Sequence, residues 1–233
     1  MRKFKFPRKY YETRQIYKKG NIEIEKGVSV LIGCNGSGKT TMTYVIKAEL
    51  ERLNIPIYNF NNYTDGGSRP IEAAMFKGDM NKVISMFSAS EGERIAMNLG
   101  YSFKPIINFL DCGRTSKDKF ADIFYSRKPI ETNERWILFD AVDSGFSIDN
   151  VMDFKEYILK PLLQKAEEMD RELYFIITAN EYEMCVDLPC INVTDCKYVK
   201  IDSYEDYKKQ ILRTRKDKDK FIDKWEEDDG INN

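Results

Sequence analysis

The sequence predicts an α/β fold: a mostly parallel central sheet flanked by helices, with a small helical subdomain. Three observations carry this. Residues 28–32, Val-Ser-Val-Leu-Ile between Gly27 and Gly33, form a dense apolar run that reads as a buried strand. Met42, Val45, Ile46, Leu50 and Leu53 then recur at helical spacing, giving an amphipathic helix over residues 40–53. Residues 55–60 read as a second strand, and strand, glycine loop, helix, strand is a βαβ unit whose strands run parallel.

The remaining elements follow in order. Ile22 and Ile24 alternate with Asn21, Glu23 and Glu25, the pattern of a half-exposed strand. Residues 61–135 are less regular, with a turn at Asp65-Gly66-Gly67, a helix over 71–87 and another opening at Ser90. A polar loop or insertion over 113–134 completes a helical subdomain of about 61–135, set within a domain of residues 1–204. Residues 136–139 form a strand, 151–169 a helix bent by Pro161, and 172–178 another strand. Short strands surround residues 191–193 and 198–201. Residues 205–233 read as a charged, solvated C-terminal helix and tail.

Composition limits the chemistry. The chain has 233 residues, 37 Lys+Arg against 38 Asp+Glu, five Cys and no His. Without histidine there is no Ser-His-Asp triad, no Cys-His pair and no imidazole acid or base. Carboxylates, lysines, backbone amides or a hard metal must carry any reaction. Cys34, Cys112, Cys185, Cys190 and Cys196 contain no C-x-x-C pair, so reduced thiols are expected rather than zinc ligands. The apolar runs are strand-sized, well short of the ~20 residues of a membrane span. The N-terminus is basic without the apolar stretch of a signal peptide, so a cytoplasmic protein is expected. Residues 1–20 carry eight Lys/Arg against one Glu, with Phe4, Phe6, Tyr10 and Tyr11 interleaved. That leaves nucleic acid or a protein as an expected partner, on a weak electrostatic signal.

Gly33-Cys34-Asn35-Gly36-Ser37-Gly38-Lys39-Thr40 matches G-x-x-x-x-G-K-[ST] directly after a buried strand and at the start of a helix. Such glycines let backbone N–H groups turn inward around phosphates, and the helix N-terminus favours the anion. Asn35, Gly36, Ser37, Gly38, Lys39, Thr40 and Thr41 are therefore the expected binding residues for ATP. Lys39 would reach the β- and γ-phosphates and the Thr40 hydroxyl would ligate Mg²⁺. Asp140, ending the strand Trp136-Ile137-Leu138-Phe139, is the expected metal-side carboxylate.

Ser90-Glu91-Gly92-Glu93-Arg94 opens a helix; it satisfies a capping box and also resembles the signature of ABC ATPases. Asp140-Ala141-Val142-Asp143-Ser144-Gly145-Phe146-Ser147 resembles an ABC Walker B running into a D-loop. Over most of residues 20–180 the motifs stand in ABC order. They look closer to SMC/RecF-like heads and to small stand-alone phage-encoded ABC ATPases than to transporter subunits. A phage protein would work in the host cytoplasm. The resemblance implies an ATP-dependent head-to-tail homodimer. Each composite site would join Lys39, Thr40 and Asp140 of one chain to Ser90, Gly92 and Glu93 of the other. It also implies a base-stacking aromatic near Tyr17, with Tyr10 and Tyr11 as alternatives.

The sequence departs from the family at two places. Ala141 stands where ABC ATPases put a water-polarising Glu, and Ala179, after Thr178, stands at the switch His. The usual Q-loop Gln is replaced by Asn59, Asn61 or Asn62. Losing a general base typically costs 10²–10⁴-fold. Either Asp143, Glu181 or Glu183 takes the role from a shifted position, or ATP is bound as a switch and hydrolysed slowly; the second is favoured. Two other readings stand beside this one. One is a P-loop kinase of a nucleotide or small metabolite, with Arg69, Arg94, Arg114 or Arg127 clamping a second phosphate. The other is a non-hydrolysing, ATP-gated scaffold.

Overall fold

Strict alternation along the central strands assigns every buried side chain to one of two faces. In the computed structural model, which describes residues 1–6, 9–10, 14–61, 74–76, 78–89, 91–115, 130, 132–143 and 146–228, these strands form one six-stranded sheet. Its members are β5 (Gly27–Ile32), β6 (Ile57–Asn61), β7 (Glu134–Asp140), β8 (Glu172–Thr178), β9 (Cys190–Asn192) and β10 (Lys197–Val199). They lie in the order β10-β9-β5-β8-β7-β6. All pairs are parallel except β9 with β10. The α/β fold with a mostly parallel sheet flanked by helices is thus observed.

One face carries Leu31, Trp136, Leu138, Tyr174 and Ile176. Against it pack Met42, Ile46 and Leu50 of α1 (Lys39–Arg52), together with Phe4, Phe6, Ile22 and Ile24. The last four belong to or flank a separate two-stranded sheet of β1 (Arg2–Lys5) and β4 (Asn21–Ile24). The alternation read at Ile22 and Ile24 is real, but this strand pairs with the N-terminus and not with the central sheet. Between them, β2 (Lys9–Tyr10) and β3 (Arg14–Gln15) form a short hairpin. The other face carries Val28, Val30, Ile32, Ile137, Phe139, Phe175 and Ile177. It is covered by Ile106, Phe109 and Leu110 and by Val151, Phe154, Leu159 and Leu162.

Those residues belong to two long helical segments. Between β6 and β7 the described residues include α2 (Met80–Ser88) and α3 (Glu91–Cys112). Buried Arg135 closes the end of α3, donating to the carbonyls of Leu110 at 3.0 Å and Asp111 at 3.3 Å. The second segment begins with α4 (Ile148–Asp153), passes through a π-helical turn at Phe154–Leu159 and continues as α5 (Lys160–Glu168). Pro161, where a bend was expected, stands in the first turn of α5, two residues after the π-helical turn ends at Leu159. A short α6 (Tyr182–Cys185) follows β8.

The C-terminal helix α7 (Tyr204–Asp228) overturns the expectation of a solvated appendage. Tyr207, Thr214 and Asp217 are buried, and Tyr207 and Ile211 join the second core face. From there α7 crosses the carboxyl edge of the sheet and reaches β3. The turn at 65–67, Ser90 and most of residues 113–134 lie outside the described residues. Among the described residues no helix is long and apolar enough to cross a membrane.

Candidate functional site

Four parallel strands end together at the site. In the β6–β7 ladder Asn61 stands directly across from Asp140, and in the β5–β8 ladder Leu31 stands across from Thr178. Strands 4.7–4.9 Å apart with a side-chain period of two place Asn61, Asp140 and Thr178 on one face at one level. Asp140 Oδ1 accepts from Thr178 Oγ1 at 2.7 Å and from Thr40 Oγ1 at 3.2 Å, while Oδ2 accepts from Asn61 Nδ2 at 3.0 Å. Of Asn59 and Asn61, the two described candidates for the amide position, Asn61 is the one that reaches the carboxylate; Asn62 lies outside the described residues.

The loop between β5 and α1 is held open by its glycines. Gly36 (φ +76°) and Gly38 (φ +94°) adopt left-handed conformations that L side chains rarely take. A Cβ on Gly38 would also stand 3.1 Å from the Tyr17 ring. Tyr17 is completely buried, and its hydroxyl donates to the Gly38 carbonyl at 2.8 Å. This corrects the expected role of Tyr17. A ring with no exposed face does not stack on a base; it props the loop from beneath.

Lys39 is a desolvated cation at the head of α1. Its ammonium is buried and donates to the carbonyls of Gly33 at 2.6 Å and Cys34 at 3.4 Å. Among the described residues it has no carboxylate within salt-bridge distance. Burial lowers its pKa, only partly opposed by Cys34, Asp143 and Asp140. A desolvated cation satisfied only by neutral carbonyls is poised for an incoming anion. The Ser37 hydroxyl, which among the described residues has no hydrogen-bond partner, is buried against Gly33 and does not line the cleft. The surroundings of Lys39 fit a polyphosphate. Thr40 and Asp140 offer a hydroxyl and a carboxylate, the sparse oxygen set Mg²⁺ takes when it keeps waters and ligand phosphates.

Gly36, Gly38, Lys39, Thr40, Asp140 and Thr178 line a cleft of about 350 Å³ that also includes Ile16, Cys34, Thr41, Ala141, Asn180 and Trp225. A larger hollow of about 550 Å³ beside β9 and β10 contains no residue of the glycine loop.

Positions 141 and 179 differ in what they offer. Ala141 lines the cleft with a left-handed backbone (φ +55°), and its N–H donates to Thr178 Oγ1 at 2.7 Å. Ala179 is fully buried and extends the ladder, its N–H reaching the Leu31 carbonyl at 3.1 Å. The next residue, Asn180, is the one that faces the cleft. Asp143 is buried, and its Oδ2 accepts from the N–H groups of Asn180 at 2.6 Å and Glu181 at 2.9 Å. Burial pushes its pKa up. Asp143 therefore ties the loop after β7 to the loop after β8. Glu181 and Glu183 do not line the cleft.

Ser90 lies outside the described residues, as do Tyr11, Asn62, Arg69 and Arg127. Gly92 and Glu93 fall in the first turn of α3, where Glu93 is exposed. Asn180, Ile16 and Trp225 are cleft residues that no motif marked; for Trp225 the one available sign was its helical spacing from Thr214 and Lys218. The chain matches no protein-family model and no curated protein.

Proposed function

We propose that this chain binds a nucleoside triphosphate with Mg²⁺ and holds it as a switch, with slow hydrolysis. The observation that carries the reading is the convergence of Lys39, Thr40 and Asp140 around a loop held in left-handed turns at Gly36 and Gly38. In that state Lys39 would exchange its carbonyl partners for phosphate oxygens. Amides at the start of α1 would face the same anion, and Thr40 with Asp140 would hold the ion. When bound, the triphosphate supplies a hydrolysable phosphoanhydride. What this chain's residues supply for attack on it is limited: a methyl at Ala141, an amide at Asn180, and a carboxylate at Asp143 already engaged by two backbone N–H groups.

The ABC-like order of glycine loop, helix-start signature and Asp140-to-Ser147 loop adds a head-to-tail homodimer to this reading. Equilibrium binding of ATP with Mg²⁺ tests the first part, and sizing in matched buffers tests the second. ATP is expected to bind, remain intact over hours and shift the protein to a dimer. If the parent and Lys39→Ala bind ATP equally, the nucleotide reading is wrong. If ATP binds and the protein stays monomeric, the dimer alone is lost.

A further inference from the structure

The cleft has a wall that does not belong to the sheet. Helix α7 passes along it and is fastened at successive levels. The Tyr207 hydroxyl donates to the Asn180 carbonyl at 2.5 Å. Thr214 Oγ1 accepts the Cys34 N–H at 2.9 Å, and Lys218 Nζ donates to the Asn35 carbonyl at 3.3 Å. Buried Asp217 pairs with Lys18 at 2.5 Å and accepts from Thr194 Oγ1 at 3.3 Å. Residues 207, 214, 218 and 225 are seven, four and seven apart, so they share one helix face. Trp225 follows Lys218 by seven residues, about 10.5 Å along the axis. Two of the anchors sit on the glycine loop itself, which fixes where Trp225 falls.

We propose that α7 completes the nucleotide site within the same chain, with Trp225 as the surface on which the base stacks. The inference rests on the triphosphate reading above. Trp225 is the one aromatic side chain among the described residues that lines the cleft, and it is half-buried there, beside Ile16. Tyr17, the aromatic that sequence position favoured, is sealed under the loop. An indole offers a broad π-face next to an apolar side chain, and every nucleobase has a face to lay on it. The ligand class is therefore a nucleoside triphosphate held at both ends: phosphates in the glycine loop, base against α7. Stacking alone discriminates weakly among bases, so ATP and GTP should bind comparably.

The test compares ATP with inorganic triphosphate, both with Mg²⁺, on the parent, Trp225→Ala and Trp225→Phe, reading affinity by calorimetry and indole emission by fluorescence. ATP is expected to change the parent's emission; triphosphate is expected to bind and leave it unchanged. Trp136, the other indole, is stacked on Tyr174 in the core, and Trp225→Phe should bind ATP nearly as the parent does while losing the emission change. Trp225→Ala should lose roughly 5- to 150-fold in ATP affinity and keep its triphosphate affinity. That retained affinity also shows that the variant is folded. Parent-like ATP binding by Trp225→Ala overturns the proposal and leaves the triphosphate reading intact. An equal loss for both ligands makes Trp225 a structural support and also overturns it. If the parent binds neither ligand, both readings fall.

Discussion

The two walls of the cleft are made differently. The sheet wall is built from strand ends: register brings Asn61, Asp140 and Thr178 level, and left-handed glycines shape the loop that carries Lys39. The α7 wall is built from single side-chain bonds, chiefly Thr214 to the Cys34 amide and Lys218 to the Asn35 carbonyl. Backbone geometry restricts residue type tightly, whereas a side-chain bond can be made by many residues. One wall therefore writes a motif into the sequence and the other does not. The sheet wall should also carry most of the phosphate affinity, and the α7 wall the contribution of the base.

The largest expected effect is at Lys39. Lys39→Met should lower affinity for ATP and for triphosphate by 100-fold or more, since hydrogen bonds to charged groups are worth about 1.5–3 kcal/mol each. The same variant should melt higher than the parent without ligand, by roughly 2–4 °C for about 1 kcal/mol, because it removes a desolvated cation. The sign follows from linkage. Burial lowers the Lys39 pKa below its unfolded value of 10.5, so in the alkaline window under 10.5 the unfolded chain binds more protons. Stability should rise with pH across that window in the parent, and this contribution should be absent in Lys39→Met. Bound polyphosphate reverses the shift, so binding there takes up a proton, measurable as a dependence of binding heat on buffer ionisation enthalpy. No proton uptake in the parent would mean that Lys39 does not meet the anion.

Asp140→Asn comes next. It keeps the shape of the Thr40–Thr178–Asn61 cluster and removes the charge, so Mg²⁺ should no longer tighten ATP binding. We expect about 10-fold weaker binding with Mg²⁺ and little change with EDTA. Equal losses in both conditions would make Asp140 a structural hub alone.

How much of this was legible depended on whether a rule of backbone geometry was involved. The run at 28–32, the loop at 33–40 and the strand ending in Asp140 each follow from periodicity or glycine placement, and the structure contains them where expected. Asn61 was set apart from Asn59 only through register, which no single strand displays. Tyr17 was misjudged because sequence separation from Lys39 says nothing about which side of the loop a ring approaches. Helix α7 was expected as a helix, but its packing against the site was missed for a sharper reason. Its inward stripe of Tyr207, Gln210, Thr214, Asp217 and Trp225 is mostly polar, so a test for apolar periodicity sees a solvated helix.

Thr214→Val probes that hidden wall with a near-isosteric change. It removes the acceptor for the Cys34 N–H, at a cost of about 1 kcal/mol. Hydrogen exchange should quicken at Cys34 and along the C-terminal half of α7, and ATP affinity should fall a few-fold while triphosphate affinity holds. If both ligands weaken together, Thr214 serves the glycine loop rather than α7, and the two walls are not separable.

The smallest effect belongs to Lys218→Ala. Its bond to the Asn35 carbonyl is exposed and long at 3.3 Å, and its stem lies 3.6 Å from where a Gly36 Cβ would stand. A contact of that kind contributes no more than about 0.5 kcal/mol in water. Alone, the substitution should barely move the melting temperature or either affinity. Combined with Thr214→Val, however, it removes both α7 anchors on the glycine loop. If the two anchors act as one clamp, the loss of ATP affinity in the double variant will exceed the sum of the single losses, because the second anchor can no longer hold α7 after the first is gone. Strict additivity would instead mean that Tyr207 and Asp217 seat the helix by themselves, and that Trp225 reaches the cleft without help from the loop it faces.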